Sequence, residues 1–155
     1  MKKLILSFTA IFVFSTVYFS QTQADLNKEF GEPTKGFYLL DTGIISKVTF
    51  GKDGQVKKAQ ILLDKENIFG QNSLQFISTE KASKFIDTFT KQREKGTLIN
   101  NITFTSSCNS IQTTIYENVG IGTFLRCSPN KNSIMSINIS WKKWKINKKV
   151  KSITK

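Results

Sequence analysis

Alternation of apolar and polar residues narrows most what this chain can build. In the second half, Ile102, Phe104, Ser106 and Cys108 share one side of an extended backbone. So do Val119, Ile121, Thr123, Leu125 and Cys127, and again Met135, Ile137, Ile139 and Trp141. Successive side chains of a strand point to opposite faces, so these runs predict half-buried strands. Ile111 to Glu117 reads as a further strand paired with one of them. The first half holds three more candidates. These are Phe37 to Leu40, Ile44 to Phe50 with Ser46, Val48 and Phe50 on one face, and Val56 to Leu63 with Ala59, Ile61 and Leu63 on one face. Asp41-Thr42-Gly43 and Gly51-Lys52-Asp53-Gly54 separate them as turns, because Asp and Gly tolerate the positive φ of tight hairpins. These three strands are expected to form a meander.

Two stretches break the period of two. Asp25 to Phe30 reads as a short helix closed by Gly31 ahead of Pro33. The second is longer. Ser78 is an N-cap candidate, and Glu80 sits in the first turn, where the helix dipole favours an acid. Ala82, Phe85, Ile86 and Phe89 follow the i, i+3, i+4, i+7 spacing of one buried helical face. Gly96 is expected to stop this helix, with Lys91, Arg93 and Lys95 in its last turn. The expected architecture is therefore α+β: one main helix packed on an antiparallel β-sheet, in two halves that each run helix then strands.

The N-terminus speaks of location. Lys2 and Lys3 precede an apolar run from Leu4 to Phe19, and Thr22-Gln23-Ala24 offers small residues at −3 and −1 of a cleavage site. That is the layout of a secretory signal, residues 1–24. The run is shorter than the roughly 20 apolar residues of a spanning helix, and Ser7, Thr9, Ser15 and Thr16 interrupt it. Export fits the cysteines. Cys108 and Cys127 are the only two, and an even pair in an exported chain defaults to a disulfide, worth about 3 kcal/mol for a loop of this size. Two free thiols buried as small hydrophobes are the alternative. Residues 25–141 are expected to form a single domain followed by a basic tail, residues 142–155.

Composition excludes much chemistry. The chain has no histidine, which removes the commonest general base and the commonest metal ligand. No His-dependent triad is possible, and two cysteines alone do not make a tetrahedral zinc site. No metal and no cofactor are expected. The formal net charge of +12 is uneven: from Lys142 to Lys155 there are seven lysines and no acid.

Gly31-Glu32-Pro33 after a short helix, then a strand, then Lys47-Val48-Thr49-Phe50 with Asp53-Gly54-Gln55-Val56, resembles one repeat of small envelope modules. These are related to the outer-membrane assembly lipoprotein and the β-lactamase-inhibitor proteins. The resemblance covers residues 26–62, and the lipid-bearing cysteine of the lipoprotein branch is missing. The chain as a whole, including Cys108-Asn109 and Tyr116-Glu117-Asn118-Val119, is also similar to uncharacterised secreted bacterial proteins. The resemblance implies a non-catalytic, protein-binding envelope module.

Candidate sites compete with plainer readings. Asp41-Thr42-Gly43 resembles the triplet of aspartic proteases, whose two aspartates share a proton. A single triplet demands a homodimer, and the flanking strands already explain it as a turn. Asp64, Glu66, Asp87 and Glu94 read as solvated surface acids. Asn101-Ile102-Thr103 and Asn138-Ile139-Ser140 match the glycosylation sequon by chance.

The stretch containing Trp141, Lys142, Lys143, Trp144, Lys145, Lys148, Lys149 and Lys151 is the strongest binding candidate. Tryptophan favours membrane interfaces and clustered lysines favour anionic lipid or wall polymer. A solvated tail is the plainer reading. Export makes nucleic acid an unexpected target. The leading expectation is a non-catalytic binding module with an unidentified protein partner and an anionic surface; the alternative is a secreted carboxylate-dependent hydrolase using Asp41.

Overall fold

The computed structural model describes residues 21–70, 76–91, 94–128 and 131–144. Helix α1 (Gln23–Phe30) starts at the N-cap Thr22. The Thr22 hydroxyl accepts from the Asp25 N–H at 3.3 Å, and the Asp25 carboxylate accepts from the Thr22 N–H at 2.8 Å. This reciprocal capping box satisfies two helix-end donors at once. Gly31, at φ 78°, ends the helix. Gln21 belongs to the same fold: its carbonyl accepts from the Val56 N–H at 3.0 Å, and its side chain is buried.

Three strands follow, β1 (Tyr38–Asp41), β2 (Ile44–Phe50) and β3 (Val56–Leu63), joined as the expected meander. Helix α2 (Thr79–Thr90) comes next, with Ser78 accepting from the Lys81 N–H at 3.2 Å as its N-cap. Four strands complete the chain: β4 (Leu98–Ser106), β5 (Asn109–Tyr116), β6 (Val119–Ser128) and β7 (Lys131–Trp141).

The architecture corrects the α+β expectation of one main helix packed on an antiparallel sheet in two helix-then-strands halves. All seven strands form one antiparallel sheet in the order β1-β2-β3-β7-β6-β5-β4. The last strand of the second group, β7, pairs with the last strand of the first, Ile137 opposite Ile61 and Ile139 opposite Ala59. That one pairing fuses the two groups. The molecule is mostly sheet, and its two helices are short, 8 and 12 residues.

Both helices lie on one face. Leu26 of α1 and Ala82, Phe85 and Phe89 of α2 share a core with Ile61, Ile137, Ile139, Ile121 and Trp141. Among the described residues, no helix is long and apolar enough to cross a membrane.

Helix α2 is shorter than its sequence suggests. It ends at Thr90, with the Lys91 N–H donating to Asp87 at 2.7 Å, so no basic residue occupies its last turn. Gly96 has another task. At φ 75° it lets the chain pass against the β5–β6 turn, where a Cβ would lie 2.8 Å from Glu117 Cβ. Around it, Glu117 and Thr97 exchange hydrogen bonds of 3.0 and 3.1 Å, and the Asn118 N–H donates to the Lys95 carbonyl at 3.0 Å. The glycine is required by a long-range approach, not by a helix end.

Candidate functional site

The helix-free face of the sheet is where the fold leaves apolar surface open. Opposed residues in neighbouring strands point to the same side. The register Phe104–Ile111–Phe124–Ser136–Leu62–Ile45 therefore defines one row across six strands on that face. Ser136 is the single polar member, and Met135 stands beside it where β7 bulges against β6. Toward β2 the row sinks into a cleft of about 610 Å³ whose walls include Phe37, Ile45, Leu62, Phe124 and Met135. Toward β4 it rises into the open, and Phe104 is 65% exposed.

The turn that Asp64 holds forms one wall of the cleft. Asp64 has a fully buried side chain that accepts from the N–H groups of Ile68 at 2.9 Å and Phe69 at 3.2 Å. Its own N–H donates to the Gly43 carbonyl at 2.9 Å. These bonds fold residues 64–70 into a turn that brings Lys65, Glu66 and Ile68 to the cleft, with Asn109 and Arg126 on another side. Asp64 is thus a structural acceptor, not the solvated surface acid its loop position suggested. A volume of this size lies within the range of ligand-binding clefts, and apolar walls with a few charged groups are their usual lining.

Asp41 sits at the β1–β2 hairpin, where Gly43 adopts φ 70°. Its carboxylate accepts from Lys81 Nζ at 2.8 Å and from the Thr42 N–H at 2.7 Å. The Lys81 ammonium, then the Thr42 N–H, hold this carboxyl below its ordinary range. A shared-proton aspartate dyad needs a second carboxylate instead of a lysine.

Cys108 and Cys127 form the disulfide, with Cα atoms 5.0 Å apart. A structural disulfide marks an oxidising environment such as that of exported proteins. The inward-facing placement expected from the alternation does not hold. Cys108 lies in the β4–β5 turn and both cysteines are exposed, so the bridge staples the outer end of the sheet.

The two tryptophans of the basic stretch are engaged in the fold. Trp141 ends β7 opposite Val119 and is buried on the helix face. Trp144 lies on the opposite face against Gly120, its backbone N–H donating to the Glu117 carbonyl at 2.8 Å, with Lys142 Nζ 3.8 Å from the ring centroid. Lys142 and Lys143 are exposed. Lys145, Lys148, Lys149 and Lys151 lie outside the described residues, as do residues 1–20 of the expected 1–24 signal.

Sequence reasoning missed the cleft. Phe124 and Arg126 alternate with the residues taken as the core face of β6, and Met135 sits at a bulge that reverses its side. Among the described residues, no group of three His, Cys, Asp or Glu side chains is arranged to hold a metal ion.

No family model matches the chain, and no curated protein matches it. Among solved structures, it is similar to a DUF4309 family protein (YjgB) from Bacillus subtilis, at 13% identity, with 78% of each chain covered and a TM-score of 0.39. That likeness is too distant to carry an argument about activity.

Proposed function

We propose that this chain is a non-catalytic binding module of the cell envelope or extracellular space, and that its recognition surface is the helix-free face of the sheet. The observation that carries this reading is the cleft bounded by Phe37, Ile45, Leu62, Phe124 and Met135 at the end of an uncovered apolar row. Apolar side chains aligned on an open sheet face are stabilised by a partner that removes them from water, at about 25 cal/mol per Å² of buried apolar area. The occupant is an acidic protein surface that inserts apolar side chains into the cleft. Its carboxylates meet Lys65 and Arg126 at the rim, and the strongly basic balance of the chain steers its approach.

An N-terminal export signal precedes the folded residues in this reading, consistent with the oxidised cysteine pair; because Gln21, Thr22 and the start of α1 belong to the fold, its cut is moved from the expected place after Ala24 to ahead of Gln21. The lysines from Lys142 onward add electrostatic attachment to an anionic membrane or wall polymer, weakening as salt rises.

Co-sedimentation of the exported protein with isolated envelopes of the producing cell tests the reading. Binding to envelopes is expected to fall on Met135→Asp and on protease treatment of the envelopes. Binding that survives both, and is matched by protein-free anionic vesicles, would leave only the lysine tail as the attachment and remove the open face from the account.

A further inference from the structure

We propose that β4 is a self-association edge, along which two copies of this chain pair to continue the sheet across a two-fold axis. The strand closes one side of the sheet, with β5 on its inner side and no strand on its outer side among the described residues. Such an edge presents backbone donors and acceptors that no neighbouring strand pairs, the Asn101 N–H being capped locally by Asn100 Oδ1 at 2.8 Å, and natural proteins usually blunt it with charge or proline. Here neither is present. Between Lys95 and Glu117 the sequence contains no Asp, Glu, Lys, Arg or Pro, although 22% of the chain is charged.

The same hairpin carries most of the exposed large apolar side chains. Leu98, Ile102, Phe104 and Ile111 are each about half exposed or more, and Phe76 is the only other described residue in that class. Exposed apolar side chains on an uncharged edge are the composition of an interface, where charge is depleted from the buried centre.

The charge distribution selects a second copy over another partner. A chain of formal charge +12 repels its own copies wherever lysines meet. An identical copy can approach closely only through a surface free of charge, and the β4–β5 hairpin is such a surface. A two-fold contact between like strands is antiparallel and isologous, so each copy offers the same edge and receives the same edge. Pairing about Ile102 sets Phe104 of one copy opposite Asn100 of the other, on the same face of the joined sheet. Ile102 and Phe104 of both copies then form one apolar cluster. This contact is separate from the cleft, and its test uses the purified protein with no partner present.

Sedimentation velocity on the exported protein over a dilution series, with Ile102→Lys and Phe104→Lys variants beside it, tests the inference. Both side chains are exposed, so the fold is expected to survive, as circular dichroism would show. The wild type is expected to sediment as a dimer that both variants convert to monomer, and β4 amides are expected to gain hydrogen-exchange protection as concentration rises. A wild type that stays monomeric throughout the series overturns the inference. So does a dimer that persists in both variants or leaves β4 exchange independent of concentration.

Discussion

Trp144 packs directly on Gly120: a Cβ placed at that glycine would sit 2.9 Å from Trp144 Cζ2. Gly120→Ala must therefore displace the indole, and overpacking of this kind costs about 1–3 kcal/mol. Gly122→Ala is the control two residues along β6, where the nearest atoms stand 4.0 Å from the new carbon. It is expected to leave stability unchanged or slightly raised, because alanine suits a strand better than glycine. Denaturant midpoints of the two variants give the comparison. Trp144 Nε1 is buried without a hydrogen-bond partner. Trp144→Phe is accordingly expected to cost less than Trp144→Ala.

The disulfide closes a loop between residues 19 apart in sequence, which is worth about 3 kcal/mol in the chain-entropy model. Replacing both cysteines by serine should lower the unfolding free energy by that order. The loss should register first at the exposed end of β4 and β5, where few side chains are buried. Hydrogen exchange of these amides, with and without reductant, is the readout.

Asp64→Ala removes the acceptor for two backbone donors, Ile68 and Phe69, beside the cleft. Unsatisfied partly buried donors cost about 1–3 kcal/mol, and the turn that forms the cleft wall should loosen with them. Asp64→Asn keeps an acceptor oxygen and is expected to lie between wild type and alanine. Thermal unfolding of the three proteins checks the order.

Acid should weaken the fold through Asp25 and Asp41. The Thr22 N–H lowers the Asp25 carboxyl below its ordinary value, and the Lys81 ammonium does the same for Asp41. Both carboxylates bind protons more weakly folded than unfolded. Their stabilisation is full above the ordinary value of 3.8 and is lost as pH falls through the depressed folded value. Asp25 is exposed and the Asp41 side chain is 39% exposed, so solvent screening keeps the effect modest. A double Asp25→Asn, Asp41→Asn variant should show a flatter loss of stability below that value, measured by urea unfolding across the acid range.

Much of the sheet was legible in the sequence because a half-buried strand writes its period into its side chains. Ala59, Ile61 and Leu63 fall on the helix face as their alternation requires, and so do Ile137 and Ile139. The buried helix face of Ala82, Phe85 and Phe89 was equally plain. Periodicity says which residues share a face, not what covers it. Ile102 and Phe104 alternate as cleanly as Ile137 and Ile139, yet they lie on the uncovered side of the outer strand. Nor does it say which strands are neighbours, so the β3–β7 pairing that makes one sheet left no local trace. Asp64, Gly96 and the Trp144–Gly120 contact share that cause. Each is set by a backbone or ring brought close from elsewhere in the fold. The cleft itself depends on the Met135 bulge, which shifts a side chain against the local alternation.

Recognition by the helix-free face, as proposed, would set the partner against Phe124 and leave the exposed side of α2 bare. Site-specific photo-crosslinking tests it most directly, with a photoreactive residue at Phe124 in the cleft or at Lys84 on the exposed side of α2, in the exported protein bound to envelopes. A protein adduct that Met135→Asp abolishes is expected from position 124, and none from position 84. An adduct from position 84 with none from 124 would contradict it and transfer recognition to the helix face.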